Sequence, residues 1–436
     1  METRTAATPR SHELPRNLRR RAAFGSVAGT SLEFYDFTIY GLAAALVFGP
    51  VFFPESSTTF ALLASLATFG VGFLARPLGG VIFGHLGDRF GRKRILSLTL
   101  IIMGSATVAI GLIPGHATIG YWAPALLVAF RLIQGLAYGG EWGGAVLMAS
   151  ESAPENKRGL YSSLPQVGVA GGILLGNSAF LIVGLLGDQA VQSWAWRIPF
   201  WLGGTLLILG VFVRSKVAES PEFERNKEND EIPKSPLREV LRKDWRMVLL
   251  AGGVQGSVAI IGYVFLTFSV SYAASIGVAG WIPLTGIMLA AVAQMIAIPI
   301  GGALTDKFGS AQVFVVGALA LAALSLAFFP VMGLNNAALT LAMYVVSFGI
   351  AYSFSHGVFP ALFTESFESS RGYTGISVGA QGGLIVGGIT PFAATLLVDV
   401  TGNVFSVGAI ACVALIVGAT CAVMMRRTRS ADKPSS

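Results

Sequence analysis

Apolar runs long enough to cross a bilayer recur along this chain, and nearly every basic residue lies in alternate connections between them. A helix needs about 20 predominantly apolar residues to cross the hydrocarbon core. Twelve such spans are read at 22–52, 58–84, 95–113, 121–149, 160–186, 196–213, 247–274, 281–304, 311–331, 336–363, 373–400 and 404–425. Of the thirty lysines and arginines, all but Arg76, Arg131 and Arg197 fall in the N-terminal arm, in connections that follow even-numbered spans, or in the tail. The connections that follow odd-numbered spans hold none. The positive-inside rule then places both termini in the cytoplasm, and an error of one span would scramble the alternation. The net charge of +7 therefore orients the chain and is not a footprint for nucleic acid.

Charged residues make up 12% of the chain and hydrophobic ones 53%, against about 25% charged in soluble domains. That balance excludes an ordinary soluble enzyme and a disordered chain. Residues 1–21 carry six arginines ahead of an apolar run, as a signal peptide would. The run has acids at its centre and no small-residue cleavage site at its end, so it reads as a retained first span. Cys412 and Cys421 would stand about 13 Å apart along one helix, too far for a disulfide. No spacing of Cys and His suggests a metal, and no cofactor motif or nucleophile triad is seen. A phosphate loop is missing too, so drive from ATP would need a partner chain.

The chain repeats itself. Gly84-His85-Leu86-Gly87-Asp88-Arg89-Phe90-Gly91 follows the second span, and Gly302-Ala303-Leu304-Thr305-Asp306-Lys307-Phe308-Gly309 follows the eighth. Glu151-Ser152 leads to Arg158-Gly159, as Glu365-Ser366 leads to Arg371-Gly372. Two six-span halves follow, 22–213 and 247–425, between a basic arm at 1–21 and a tail at 426–436. Residues 214–246, charged and containing Pro221, Pro233 and Pro236, read as a cytoplasmic linker. An even number of spans per half makes the halves parallel repeats, with a binding site expected between them at the midplane. The fold class is thus an all-α membrane protein of twelve helices in two pseudo-symmetric halves.

Arg76-Pro77-Leu78-Gly79-Gly80, running into Gly84-x-x-Gly87-Asp88-Arg89-x-Gly91-Arg92-Lys93, resembles the loop 2–3 motif of the major facilitator superfamily. Leu32-Glu33-Phe34-Tyr35-Asp36-Phe37 and Arg131-Leu132-Ile133-Gln134-Gly135 with Gly139-Gly140-Glu141-Trp142 resemble motifs of its metabolite:proton symporter family. Glu151-Ser152-Ala153-Pro154, Trp196-Arg197-Ile198-Pro199-Phe200 and Glu219-Ser220-Pro221-Glu222-Phe223 are similar to the same family, nearest its shikimate-transporter-like subgroup. The resemblance implies alternating access without a cofactor, in the cell inner membrane. It implies import of dicarboxylates, tricarboxylates, shikimate, aromatic acids, proline or betaine, usually with protons. Two departures stand out. The second motif ends Gly309-Ser310 without the basic pair, and Arg371 is shifted one place from the position relatives use. The gate of the second half is therefore expected to be weaker or differently built.

Without the family, the residues still point inward. Glu33 and Asp36 share a helix face with Tyr40. Counted from Arg21, Asp36 lies about 22 Å along the helix, near the midplane. Acids there must face a cavity or a cation. Arg131 falls near the same depth, and Glu141 near that of Glu33. Burial disfavours a carboxylate's charge and a neighbouring guanidinium favours it. A substrate anion that engages Arg131 would make the released acid easier to protonate, which is a route to symport. The alternative is a permanent ion-pair network that only packs the half.

Asp36, Glu33 and Glu141 are accordingly the candidates for proton coupling. Arg131, Tyr40, Gln134, Gln166, Gln255, Gln381 and His356 are those for substrate, although each amide could equally bridge helices and His356 could equally be a packing residue. Asp88, Arg89, Arg92, Glu151, Arg158, Asp306, Glu365 and Arg371 are expected in a cytoplasmic gate. Arg76 belongs either to that gate or to the interface, by snorkelling. The expected function is proton-coupled uptake of a small organic acid by a monomer, with a zwitterionic osmolyte as the alternative substrate. An uncoupled facilitator or a transport-dead sensor is the other class.

Overall fold

The computed structural model describes residues 16–215, 224–225, 228 and 236–431. The start of the basic arm, most of the segment read as linker and the end of the tail lie outside the described residues, Pro221 and Pro233 among them. The described residues are helical, with no strand. Twelve long helices cross the bundle: α1 Arg16–Leu46, α2 Thr58–Phe90, α3 Arg92–Leu112, α4 Trp122–Glu151, α5 Arg158–Gly184 and α6 Arg197–Ser215 in the first half. The second half holds α7 Trp245–Ser275, α8 Trp281–Phe308, α9 Ser310–Gly333, α10 Ala337–Ser366, α11 Gly372–Thr401 and α12 Phe405–Ala431. Eleven are apolar enough to cross a membrane by composition alone. The exception, α1, is long enough but carries Glu33 and Asp36 in its middle. α7 and α10 contain π-helical stretches at Val264–Phe268 and Tyr344–Ala351.

Helix ends differ from the sequence reading at the repeated motif and in the first span. α2 continues to Phe90 and α8 to Phe308, so the repeated motif is helix and not loop. Only Gly91 (φ 104°) and Gly309 (φ 88°) leave the helical conformation, and α3 and α9 start directly after them. A residue with a Cβ would be strained at either φ. α1, for its part, stops at Leu46, and Phe48–Phe52 forms a separate turn within what reads as one span.

Small residues set how close the helices come. A Cβ on Gly79 would lie 1.9 Å from the Leu136 carbonyl, and one on Gly139 2.0 Å from that of Arg76, so α2 and α4 touch backbone to backbone. Gly168 and Gly172 do the same for α5 against α1. Inside a bilayer, where apolar burial supplies little drive, such contact is a main source of helix association. Between the halves, α2 packs on α11 and α5 on α8. Pro236–Lys243 forms a short helix at the same end of the bundle as the α2–α3 and α10–α11 connections, with its own Val240 buried. This is called the basic end below. At the other end Trp194 is exposed but Trp196 is sealed among Phe48, Phe52 and Phe200, and Arg197 donates to the Ile113 carbonyl at 3.0 Å.

Candidate functional site

A cavity of about 320 Å³ lies between the halves. The first half contributes Glu33, Phe34, Phe37, Phe69, Arg76, Trp142, Gln166 and Asn177, and the second Gln255, Tyr263, Gln294, Tyr352, His356, Phe359 and Gln381. Trp142 stacks on Phe359 at 5.2 Å on the side of the cavity nearer the basic end. Gln166 crosses between the halves: its Oε1 accepts from Trp142 Nε1 at 2.7 Å, and its Nε2 lies 3.0 Å from His356 Nε2 and 3.1 Å from the His356 carbonyl. The His356 ring stacks on Tyr352 at 4.8 Å. An apolar-walled space with a few convergent polar groups is the general form of a small-molecule site.

Behind the cavity wall a second polar layer is sealed inside the first half. Arg131 donates to Gln134 Oε1 at 3.1 Å, Gln134 Nε2 to Thr107 Oγ1 at 2.8 Å, and Thr107 to Asp36 Oδ2 at 2.6 Å. The Arg131 guanidinium lies over Tyr40 at 4.2 Å and Phe69 at 5.0 Å, and Tyr40 donates to Thr68 Oγ1 at 2.7 Å. Glu141 accepts from Thr99 at 2.6 Å. Glu33, Asp36, Arg131, Gln134 and Glu141 are all buried.

At the basic end the halves are joined by two related caps. Asp88 accepts from Tyr373 N at 3.1 Å, Thr374 N at 2.8 Å and Thr374 Oγ1 at 2.7 Å, at the start of α11. Asp306 accepts from Gly159 N at 2.7 Å and Leu160 N at 3.0 Å, at the start of α5. A carboxylate at a helix N-terminus satisfies backbone donors that lack intrahelical partners and meets the positive end of the helix dipole. Arg92 reinforces the first cap, 3.0 Å from Glu151 and 2.7 Å from the Ser369 carbonyl. In the equivalent place of the second half, Ser310 donates to Glu365 at 2.9 Å. A serine hydroxyl thus stands where the first half has the Arg92 guanidinium. Arg371 is also rebuilt: it pairs with Asp244 and with Glu368 (2.6 Å) and reaches Glu239 of the short helix at 3.9 Å.

The profile of the Major Facilitator Superfamily matches residues 27–388. The chain belongs to this superfamily. It is 38% identical to the shikimate transporter of Escherichia coli K12, over 94% of this chain and 95% of the relative. It is 31% identical to the proline/betaine transporter of Salmonella typhimurium LT2, over 95% of this chain and 84% of the relative. Its fold is similar to that of the proton:xylose symporter XylE, with a TM-score of 0.74, 17% identity, and coverage of 94% of this chain and 96% of that one. The chain is thus a multi-pass membrane transporter of the superfamily.

Measured against the residues expected from the sequence, this superfamily member divides them into layers. Glu33, Gln166, Gln255, Gln381 and His356 line the cavity, but Arg131, Tyr40 and Gln134, expected at the substrate, are not among its lining residues. Their helix faces turn them into the half. Arg76, expected either in the gate or at the interface, lines the cavity. Arg89, expected in the gate, is exposed with its guanidinium 5.5 Å from the Phe90 ring. Arg158 is also exposed, at the start of α5. Sequence reasoning passes over Thr107, Thr99 and Ser369. The two threonines are among the few polar residues of an apolar third span, and that was the available signal.

Proposed function

We propose that this chain is a proton-coupled symporter that imports a small organic acid, working as a monomer in the inner membrane with its basic end and both termini in the cytoplasm. The observation that carries the reading is the hydrogen-bonded chain from Arg131 through Gln134 and Thr107 to Asp36, one layer behind a cavity between two pseudo-symmetric halves. A carboxylate held at mid-membrane is costly in its charged form, so it exchanges a proton when its stabilising partners shift. Asp36 carries the proton, and Arg131 sets its charge state through the bridging side chains. Glu33, on the cavity face of the same helix, and Glu141 complete the path. The two aspartate caps close the cytoplasmic side, and their release opens it. Similarity to a shikimate transporter supports an acid as cargo, and similarity to a proline/betaine transporter supports a zwitterionic osmolyte as the second reading.

The test is proton entry into proteoliposomes at zero voltage, with shikimate, dicarboxylates, citrate, aromatic acids, glycine betaine and proline added in turn. External alkalinisation on adding one acid supports acid symport. A signal only for betaine or proline replaces it with the osmolyte reading.

A further inference from the structure

Arg76 is 6% exposed, and its guanidinium lies 5.1, 4.6 and 4.7 Å from the ring centroids of Phe37, Phe73 and Tyr138. The rings stabilise the charge but accept few of its five N–H donors. Among the described residues none makes a hydrogen bond or an ion pair with it, and it opens on the cavity. A guanidinium buried without an acceptor is expensive, and its planar fork matches a carboxylate held by two hydrogen bonds.

A second orphan lies close by. Gln381 Oε1 is buried without a hydrogen-bond partner, while its Nε2 reaches the Gly139 carbonyl at 3.4 Å. A Cβ on Gly80 would be 3.2 Å from Gln381 Cγ. Gly80 is about one helical turn from Arg76 on the same face of α2, a rise of about 6 Å. The cavity therefore offers an unmet cationic donor and, about a turn away, an unmet neutral acceptor.

From this pairing, which rests on the acid-symport reading, we infer that Arg76, not Arg131, holds the carboxylate of the transported molecule, and that Gln381 accepts a hydrogen bond from a hydroxyl on the same molecule. The cargo is then a small hydroxylated carboxylic acid. Tyr263 faces the same space from the second half, its ring edge-on to Phe73 at 6.0 Å, so both halves meet the ligand near its carboxylate. A quaternary ammonium group has no donor for Gln381 and no anion at that end.

The test measures binding to the purified full-length chain by calorimetry, with shikimate as the hydroxylated acid, benzoate as an acid without hydroxyls, and glycine betaine. Arg76→Gln should weaken shikimate roughly 30-fold or more, the scale of losing one partner of a buried charge pair. Arg76→Lys, which keeps the charge without the fork, should fall between and serves if the glutamine variant does not fold. Gln381→Leu should erase roughly tenfold of the preference for shikimate over benzoate. Wild-type affinity for shikimate in both Arg76 variants would overturn the assignment while acid transport stands. Betaine bound by the unaltered protein with neither acid bound would overturn the acid reading itself, and the inference with it.

Discussion

The guanidinium carbons of Arg76 and Arg131 lie 5.1 and 5.6 Å from the centroid of a single ring, Phe37. One arginine opens on the cavity and the other is sealed within the first half. Phe37 stands one residue after Asp36, so the ring that borders both cations is set by the same helical turn as the buried acid. A change at the cavity guanidinium thus reaches the sealed one through a shared aromatic neighbour and through space, without a direct hydrogen bond. On the proposed reading, this relation is what would tie occupancy at Arg76 to proton uptake at Asp36.

Asp36→Asn should abolish substrate accumulation against a gradient while sparing exchange of labelled for unlabelled substrate. The amide still accepts from Thr107 but cannot take up a proton at neutral pH. Counterflow and pH-driven uptake in vesicles separate the two. Accumulation at the wild-type level would remove Asp36 from the coupling path.

Asp88→Asn should open the basic end more than Asp306→Asn does. Asp88 accepts three hydrogen bonds from α11 and Asp306 two from α5. Hydrogen bonds to a charged group contribute about 1.5–3 kcal/mol each. Spin-label distances across the basic end would show longer populations in both variants, greater for Asp88→Asn. Equal, unchanged distances would mean that the caps do not hold the closed arrangement.

Arg92→Ser and Ser310→Ala compare equivalent places in the two halves. The first breaks a buried ion pair to Glu151, a loss of about 3–5 kcal/mol. The second removes one hydrogen bond to the Glu365 carboxylate, a loss of about 1.5–3 kcal/mol. Melting in detergent should drop distinctly further for Arg92→Ser. A similar drop for both would show that the Arg92 ion pair adds nothing over the serine hydrogen bond.

Gly139→Ala should lower the melting temperature and raise KM, because its Cβ would meet the Arg76 carbonyl at 2.0 Å and force α2 away from α4. Overpacking of this kind costs about 1–3 kcal/mol. Gly382→Ala is the control: its Cβ would meet nothing within 4 Å. A KM unaffected by Gly139→Ala would mean that the cavity tolerates displacement of Arg76.

Much of the site was legible as residue types but not as roles. Asp88 is expected from sequence in a cytoplasmic gate, and the structure seats it on the start of α11 with Arg92 at 4.0 Å. The basic pair is missing after Gly309, and the structure places Ser310 there, bonded to Glu365. Arg131, expected at the substrate, is by contrast sealed behind the cavity wall, and Arg76, expected at the gate or the interface, lines the cavity. Both lie within spans, and counting residues along a helix yields a height in the membrane but no rotation about the helix axis.

From its sequence alone this chain declares twelve spans, two repeated halves and the pairing of motifs that join them. Those features follow from lengths, charges and spacings, which bilayer thickness and the cost of moving charge across it constrain directly. The tertiary structure decides which face of each helix meets the cavity. In a bundle where lipid, neighbouring helices and cavity walls are all largely apolar, hydropathy does not distinguish those faces. The close glycine contacts between α2 and α4 do, and they turn Arg76 toward the cavity and leave Arg131 behind it.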